Sequence, residues 1–436
     1  MKRVYIETYG CQMNVADTET MFGVLAGAGY ARTEQPEGAD VILVNTCAVR
    51  DNAEQRVIGR VGELQRYTRS GVVLGVVGCM AQRLGPALLE RVPRVDMVVG
   101  PDGYRNLPAL LGMAQAGQRI SDTEFRNWEH YEDVPSVRDV AATAFVTVQR
   151  GCDFRCTFCV VPMTRGPERS RKLDDAVREV RALVEQGVSE VTLLGQTVNS
   201  YHDGTADFAD LLKAVGAVDG IRRIRFTSPY PTDFTPRVIE TMATTPAVCE
   251  HVHLPAQSGS NAVLKRMLRR YTRERYLEVV AELRAAIPGI TLSTDIIVGF
   301  PGETEEQFAE TLSLVGAADF DDAYTFKYSV REGTPAVRLN DHVSDAVAGE
   351  RLERLIGVVR QNVRRKNLAR VGSTHEALVE RPARRGDLLL ARTRTNFLAL
   401  VDLPADTIGE YHQITLTGTT GSTFTASVQR PQLAVL

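Results

Sequence analysis

The sequence predicts an α/β protein of three units: an N-terminal doubly wound parallel sheet, a central partial (β/α)6 barrel, and a small C-terminal all-β barrel. Three observations carry this. Short apolar runs alternate with helical stretches through the first hundred residues, and the alternation resumes on a longer spacing from about residue 141. It stops near residue 370, after which short runs rich in Thr, Val and Leu follow one another with Gly turns between them.

In the first unit, residues 4–9, 41–45 and 72–77 read as buried strands, and 17–28, 53–69 and 82–91 as helices. Strands separated by helices pair in parallel. Residues 1–115 are therefore one domain. A polar stretch without sustained period, 116–140, holds the sole tryptophan, Trp128, and reads as a linker. Strands are expected next at 144–149, 190–194, 223–227, 249–254, 291–298 and 323–328, with helices at 174–186, 208–218, 236–243, 273–286 and 305–317. Thr304 and Gln307 form a capping box for the last helix, and Gly187 stops the first. Six strands do not complete an eight-fold barrel, so residues 141–370 form an open one. It ends in a basic helix over 344–369. Residues 371–436, with strands at 388–392, 398–401, 413–416 and 423–428, form the β barrel.

Composition narrows the function. The 436 residues carry 51 basic and 54 acidic side chains for a net charge of −3, so any nucleic-acid contact comes from a local patch. No apolar run reaches the 18 or so residues of a membrane span, and no signal-peptide core follows Met1. A soluble cytoplasmic protein is expected. Its seven cysteines are then thiols reserved for metal or catalysis and not disulfides.

The cysteines divide by position. Cys152, Cys156 and Cys159, in Cys-x3-Cys-x2-Cys spacing, follow the first strand of the central barrel, where barrel enzymes assemble their sites. Three thiolates within eight residues can wrap one face of a 4Fe–4S cubane and leave one iron open. A zinc knuckle is the bland alternative, but it wants four ligands. Cys11, Cys47 and Cys79 each stand just beyond an expected strand of the first unit, on the edge where parallel sheets bind ligands. They converge on a second three-ligand site, unless they are three unrelated semi-buried thiols. Cys249, inside an apolar strand, reads as a core residue.

The Cys-x3-Cys-x2-Cys loop resembles that of the radical S-adenosylmethionine (SAM) superfamily, and seven ordered segments resemble the tRNA methylthiotransferase family. They are TYGCQMN (8–14), NTCAVR (45–50), GCMAQ (78–82), GCDFRCTFCVVP (151–162), TRG (164–166), HLPAQSG (253–259) and STDIIVGFPGET (293–304). Residues 391–396, ARTRTN, resemble the signature of the TRAM RNA-binding module. The resemblance implies two 4Fe–4S clusters, on Cys152, Cys156 and Cys159 and on Cys11, Cys47 and Cys79, with SAM as both radical source and methyl donor. It places Phe158, Gly195, Gln196, Asp295 and Gly299 against SAM. The implied reaction adds a methylthio group to C2 of N6-dimethylallyladenosine at position 37, next to the anticodon. The threonylcarbamoyl-adenosine branch and a non-enzymatic RNA-binding protein with structural metal sites are the alternatives. The sequence departs from the family at Thr197 and Tyr230, where Asn and His are expected.

Seven basic residues against one acid lie between Arg351 and Arg370, and five against one between Arg381 and Arg394. A solvated helix face explains the first alone. Beside a β module with Arg384, Arg385, Arg392, Arg394 and Phe397, the better reading is a phosphate-tracking groove with a stacking ring. The partner is then tRNA. A monomer is expected, and the sulfur and electron donors are not identified by sequence.

Overall fold

The computed structural model describes residues 1–48, 51–68, 71–138, 141–384 and 386–428. Six parallel strands form the N-terminal sheet: β1 (Lys2–Thr8), β2 (Tyr30–Arg32), β3 (Val41–Thr46), β4 (Val73–Gly78), β5 (Met97–Val99) and β6 (Ile120–Asp122), in the order 2-1-3-4-5-6. Every residue of β3 and β4 is buried, as continuous apolar runs between two helical layers require. Thr8 pairs with Asn45 and Thr46 with Gly78, so β1, β3 and β4 end level on one edge.

Three strands here, β2, β5 and β6, escape the sequence reading because three residues carry too little periodicity to register. The sixth corrects the linker: Ile120–Asp122 pairs with Met97–Val99 and belongs to the sheet. The first helix starts at Gln12, five residues earlier than expected, with Cys11 at its N-cap. The helix expected at 82–91 is two, Cys79–Leu84 and Pro86–Arg91, broken at Gly85 where φ is 53°.

The central unit is an open parallel arc. Strand β7 (Thr143–Thr147) leads into a short antiparallel pair, β8 (Gln149–Arg150) with β9 (Arg169–Ser170). β10 (Glu190–Leu194) lies between β7 and β11 (Arg223–Phe226), while β13 (Thr291–Val298) lies between β12 (His251–His253) and β14 (Asp322–Lys327). A bridge from Ile224 to Val248 joins the two halves. The capping box forms as expected, with Thr304 accepting from Gln307 N and Gln307 reaching back.

Helix Asp345–Arg370, capped by Ser344, runs on to a closed five-stranded barrel of β15 (Thr374–Pro382), β16 (Leu389–Thr393), β17 (Leu398–Val401), β18 (Tyr411–Thr419) and β19 (Thr423–Val428). Its interior holds Ala377, Val379, Leu389, Ala391, Ala399, Val401, Ile414, Leu416 and Phe424. Among the described residues no helix is long and apolar enough to cross a membrane.

Candidate metal centres

Cys11, Cys47 and Cys79 stand immediately beyond the level ends of β1, β3 and β4. Gly10 and Gly78 bring the chain round at φ 131° and 94°, a region open to glycine. A Cβ on Gly10 would lie 2.6 Å from the Cβ of Cys47, and one on Gly78 would lie 2.4 Å from Asn45 Oδ1. Two asparagines lock the strand ends together. Asn14 Nδ2 donates to Asn45 Oδ1 (3.2 Å) and to Thr46 O (3.1 Å), while Asn45 Nδ2 donates to Asn14 O at 2.8 Å. A hydrogen bond with Cys47 holds the Cys11 thiol below its ordinary range, opposed by desolvation and helped by Arg165. Burial pushes Cys79 up, again with Arg165 opposing.

Cys152, Cys156 and Cys159 lie on the loop that follows β8. Gly151, at φ 76°, takes its turn so close to the next segment that a Cβ would sit 1.8 Å from Pro167 O. The loop is anchored by Cys152 N to Gly166 O (3.1 Å), Thr157 N to Met267 O (3.1 Å) and Thr157 Oγ1 to Arg266 O (2.9 Å). Burial raises the Cys152 thiol to about 11 and the Cys159 thiol to about 12. Both are thiols until a metal displaces their protons. Arg269 Nη1 donates to Cys156 Sγ at 3.4 Å, and its guanidinium lies over the rings of Tyr230 (4.5 Å) and Tyr271 (5.1 Å). Tyr230, one of the two departures, also stacks on Phe154 at 3.9 Å.

The two triads share a wall. Helix Val161–Arg165 begins two residues after Cys159, and Val160 and Met163 pack with Ala48 and Cys79. At its end Arg165, 3% exposed, donates Nε–H to Cys79 Sγ at 3.1 Å. Asp17, fully buried, faces Arg165 Nη2 at 2.7 Å and Arg150 Nη1 at 2.9 Å and accepts from Tyr104. Sequence reading missed Arg165, Asp17 and Arg269. Arg165 had a signal, the TRG segment; Asp17, a charge on a buried helix face, had a weaker one.

The donor sets fit iron–sulfur clusters. Each offers three sulfurs, buried at Cys47, Cys79, Cys152 and Cys156, partly buried at Cys159 and exposed at Cys11, and beside Cys79 the buried Arg165 Nη1 has no hydrogen-bond partner among the described residues. Among the described residues no group of three or more Cys, His, Asp or Glu side chains is gathered closely enough to hold a single metal ion, so the choice between clusters and zinc rests on the three-sulfur donor sets.

The residues expected against SAM are placed as follows. A Cβ on Gly195 would meet Gln149 Oε1 at 2.6 Å, and Gln149 is doubly bonded to Thr197 through its N–H and carbonyl. Gln196 Oε1 is buried without a partner. Thr197, the other departure, donates Oγ1–H to Glu168 Oε2 at 2.9 Å, and Ser200 donates to Oε1 at 2.8 Å. Phe158 packs edge-on against Phe300 at 6.4 Å. Asp295 lies 3.2 Å from His253 Nε2, within the arc. Gly299 turns away at the end of β13 at φ 72°, its N–H bonded to Glu303.

Three residues expected to face RNA, Arg392, Arg394 and Phe397, are engaged in contacts within the protein. Arg392 pairs with Glu380 and with Asn396 Oδ1, and Arg394 grips Glu250 at 2.7 and 2.9 Å. Phe397 packs on Phe424 and under Arg370. The loop they share docks on the starts of β11 to β13, the end of the arc away from the cysteines. There Arg223 donates to Arg392 O, Arg225 to Thr393 O, and Thr291 to Thr395 O. The physical reason is that the Arg394 guanidinium lies within reach of Glu250 and of the Pro246 and Val248 carbonyls of the central unit, while Arg392 lies beside Glu380 and Asn396 of its own barrel. Arg384 is exposed; Arg385 lies outside the described residues. Cys249 is 2% exposed, as a core residue should be.

Comparison with known proteins agrees with this organisation. The profile of the radical SAM superfamily matches residues 146–315, and one described as uncharacterized protein family UPF0004 matches residues 3–100. A tRNA-2-methylthio-N(6)-dimethylallyladenosine synthase of Geobacillus thermodenitrificans is 43% identical over 444 residues, spanning 100% of this chain and 85% of its own. Proteins of the same name from Opitutus terrae (42%, covering 97% and 96%) and Moorella thermoacetica (45%, covering 93% of each) are similar throughout. The fold resembles that of the radical S-adenosylmethionine methyltransferase TsrM of Kitasatospora setae, at TM-score 0.59 and 16% identity over 77% of each chain. It also resembles the cobalamin-dependent radical enzyme OxsB, at TM-score 0.54 and 14% identity over 83% of this chain and 56% of that one.

Proposed function

The chain belongs to the family of tRNA-2-methylthio-N6-dimethylallyladenosine synthases, and from that premise we propose how its residues divide the work of a radical SAM methylthiotransferase. The reaction adds a methylthio group to C2 of N6-dimethylallyladenosine at position 37 of tRNA, with iron–sulfur clusters and SAM as cofactors. Relatives matching the whole chain carry this activity in their name, which disfavours the threonylcarbamoyl-adenosine and non-enzymatic alternatives. A tRNA substrate supports a cytoplasmic location.

Cys152, Cys156 and Cys159 would hold one cluster and Cys11, Cys47 and Cys79 the other. When bound, the clusters and SAM supply the electron, the radical, the sulfur and the methyl group. The protein supplies the rest. Cys79 and Val160, both buried, pack with Ala48 and Met163 and would keep water from the seam between the two sites. Gln149, fixed by Thr197 and backed by Gly195, shapes the floor where SAM would lie. Phe158 offers an apolar face, and Asp295, oriented by His253, an acceptor for a ribose or adenine donor. Residues 1–115 together with β6 would carry the second cluster, 141–370 the radical chemistry and 371–436 the RNA-binding module.

The observation that carries this reading is the contact of Cys79 with Val160, Met163 and Arg165, on the segment that follows Cys159. The experiment is mass spectrometry of tRNA nucleosides from a strain lacking the protein, complemented with wild type, Cys152→Ala or Cys11→Ala. Both variants should leave the dimethylallyl precursor unmodified. In vitro, only Cys11→Ala should still cleave SAM. Methylthiolation surviving in either variant sinks the assignment.

A further inference from the structure

Each triad receives one guanidinium on one of its sulfurs, the buried Arg165 on Cys79 and the partly buried Arg269 on Cys156. Their surroundings differ. Arg165 and Arg150 share the single carboxylate of Asp17, so this pocket carries a surplus positive charge, and Arg165 Nη1 has no hydrogen-bond partner among the described residues. A buried cation in that state calls for an anionic partner, and the sulfur of Cys79 is where its Nε–H already points. Arg269 is held by neutral groups: Nε donates to Tyr271 Oη at 2.9 Å, Nη2 to Pro255 O at 3.4 Å, and two aromatic rings flank its plane.

We propose that Arg165 and Arg269 are positioning residues, each holding and electrostatically tuning one cluster: Arg165 the one on Cys11, Cys47 and Cys79, Arg269 the one on Cys152, Cys156 and Cys159. This rests on the reading of both triads as cluster ligands. Hydrogen bonds to ligand sulfur and nearby positive charge favour the more negative, reduced state of a cluster and so raise its potential. Arg165 does this across the domain boundary. Its helix starts two residues after Cys159 and ends on Cys79, so the backbone that leaves one triad delivers the cation of the other and fixes their separation. Lysine could keep the charge but not the fork that meets Asp17 and Cys79 together.

The test is an anaerobic redox titration followed by electron paramagnetic resonance on the reconstituted full-length protein. It compares wild type, Arg165→Gln, Arg165→Lys, Arg269→Gln and Arg269→Lys. Arg165→Gln should move the midpoint of the Cys11/Cys47/Cys79 cluster to more negative potential and leave the other in place. Arg269→Gln should do the reverse, and each Lys variant should fall between its Gln variant and wild type. Unchanged midpoints, or both clusters moving equally in either Gln variant, overturn the proposal. Where a Gln variant loses iron, the Lys variant decides: a wild-type midpoint there overturns it, an intermediate one supports it. A wild-type protein that loads only one cluster would instead defeat the reading of the triads.

Discussion

The carboxylate of Asp17, on the first helix of the N-terminal unit, lies 2.9 Å from the guanidinium of Arg150, which enters the Cys152 loop, and both side chains are buried. This pair, with Arg165 as its third member, ties the two cysteine-bearing units into one site. Removing one partner of a buried pair leaves the other charge uncompensated, at a cost of about 3–5 kcal/mol. Asp17→Ala should therefore lower the stability of the full-length protein by about that amount in chemical denaturation. A loss below about 1 kcal/mol, the level of a surface ion pair, would show that the pair does not hold the units together.

Gly151 should be irreplaceable for local reasons. At φ 76° with Pro167 O 1.8 Å from a would-be Cβ, Gly151→Ala must displace either the cysteine loop or the segment after Gly166. Iron content after anaerobic reconstitution should fall by about half, with the second triad still loaded. Full iron loading would mean that the loop adapts.

The docking of the C-terminal barrel should respond to acid. His251, whose Nε2 meets Asn396 of the barrel loop, is pushed down to about 3 by burial, with Arg225 adding to the effect. Its folded pKa lies below the ordinary 6.5, so the unfolded chain takes up the proton first. Stability present above about pH 6.5 is then lost progressively as pH falls toward about 3. Thermal unfolding midpoints measured from pH 7 to 4.5 should fall less steeply for His251→Asn than for wild type. Parallel curves would show that His251 does not set the acid response.

Basic side chains near the C-terminus should separate into two kinds. Arg394, paired with Glu250, should act on domain docking: Arg394→Ala should hasten proteolytic release of the barrel. Arg360 and Arg364 are exposed on the long helix, and their alanine variants should leave stability within about 0.5 kcal/mol. They should weaken tRNA binding and lower its salt slope by about one for each phosphate no longer neutralised. Equal effects of all three on tRNA affinity alone would return Arg394 to the RNA surface.

Much of this was legible in the sequence because it was written locally. The three strand ends carrying Cys11, Cys47 and Cys79 lie in runs of six or seven residues, long enough to read, and parallel pairing brings such ends to one edge. What escaped was either too short or depended on distant partners. Tyr30–Arg32, Met97–Val99 and Ile120–Asp122 are strands because their neighbours are. Arg392 and Arg394 carry the composition of an RNA contact, but Glu380 and Glu250, 12 and 144 residues away, take up their charge. Arg165 sat in a motif whose partner, Cys79, is 86 residues distant.

The division of labour proposed for this chain stands on two separate cysteine triads, each holding a cluster against one shared wall. Iron and acid-labile sulfide counted on the anaerobically reconstituted protein test that arrangement at its root, in wild type and in the two triple Cys→Ala variants of residues 11, 47 and 79 or 152, 156 and 159. Two clusters require about eight irons in wild type and about four in each triple variant. Retention of the wild-type iron content by either variant, or zinc in place of iron at one or two ions per chain, is incompatible with it.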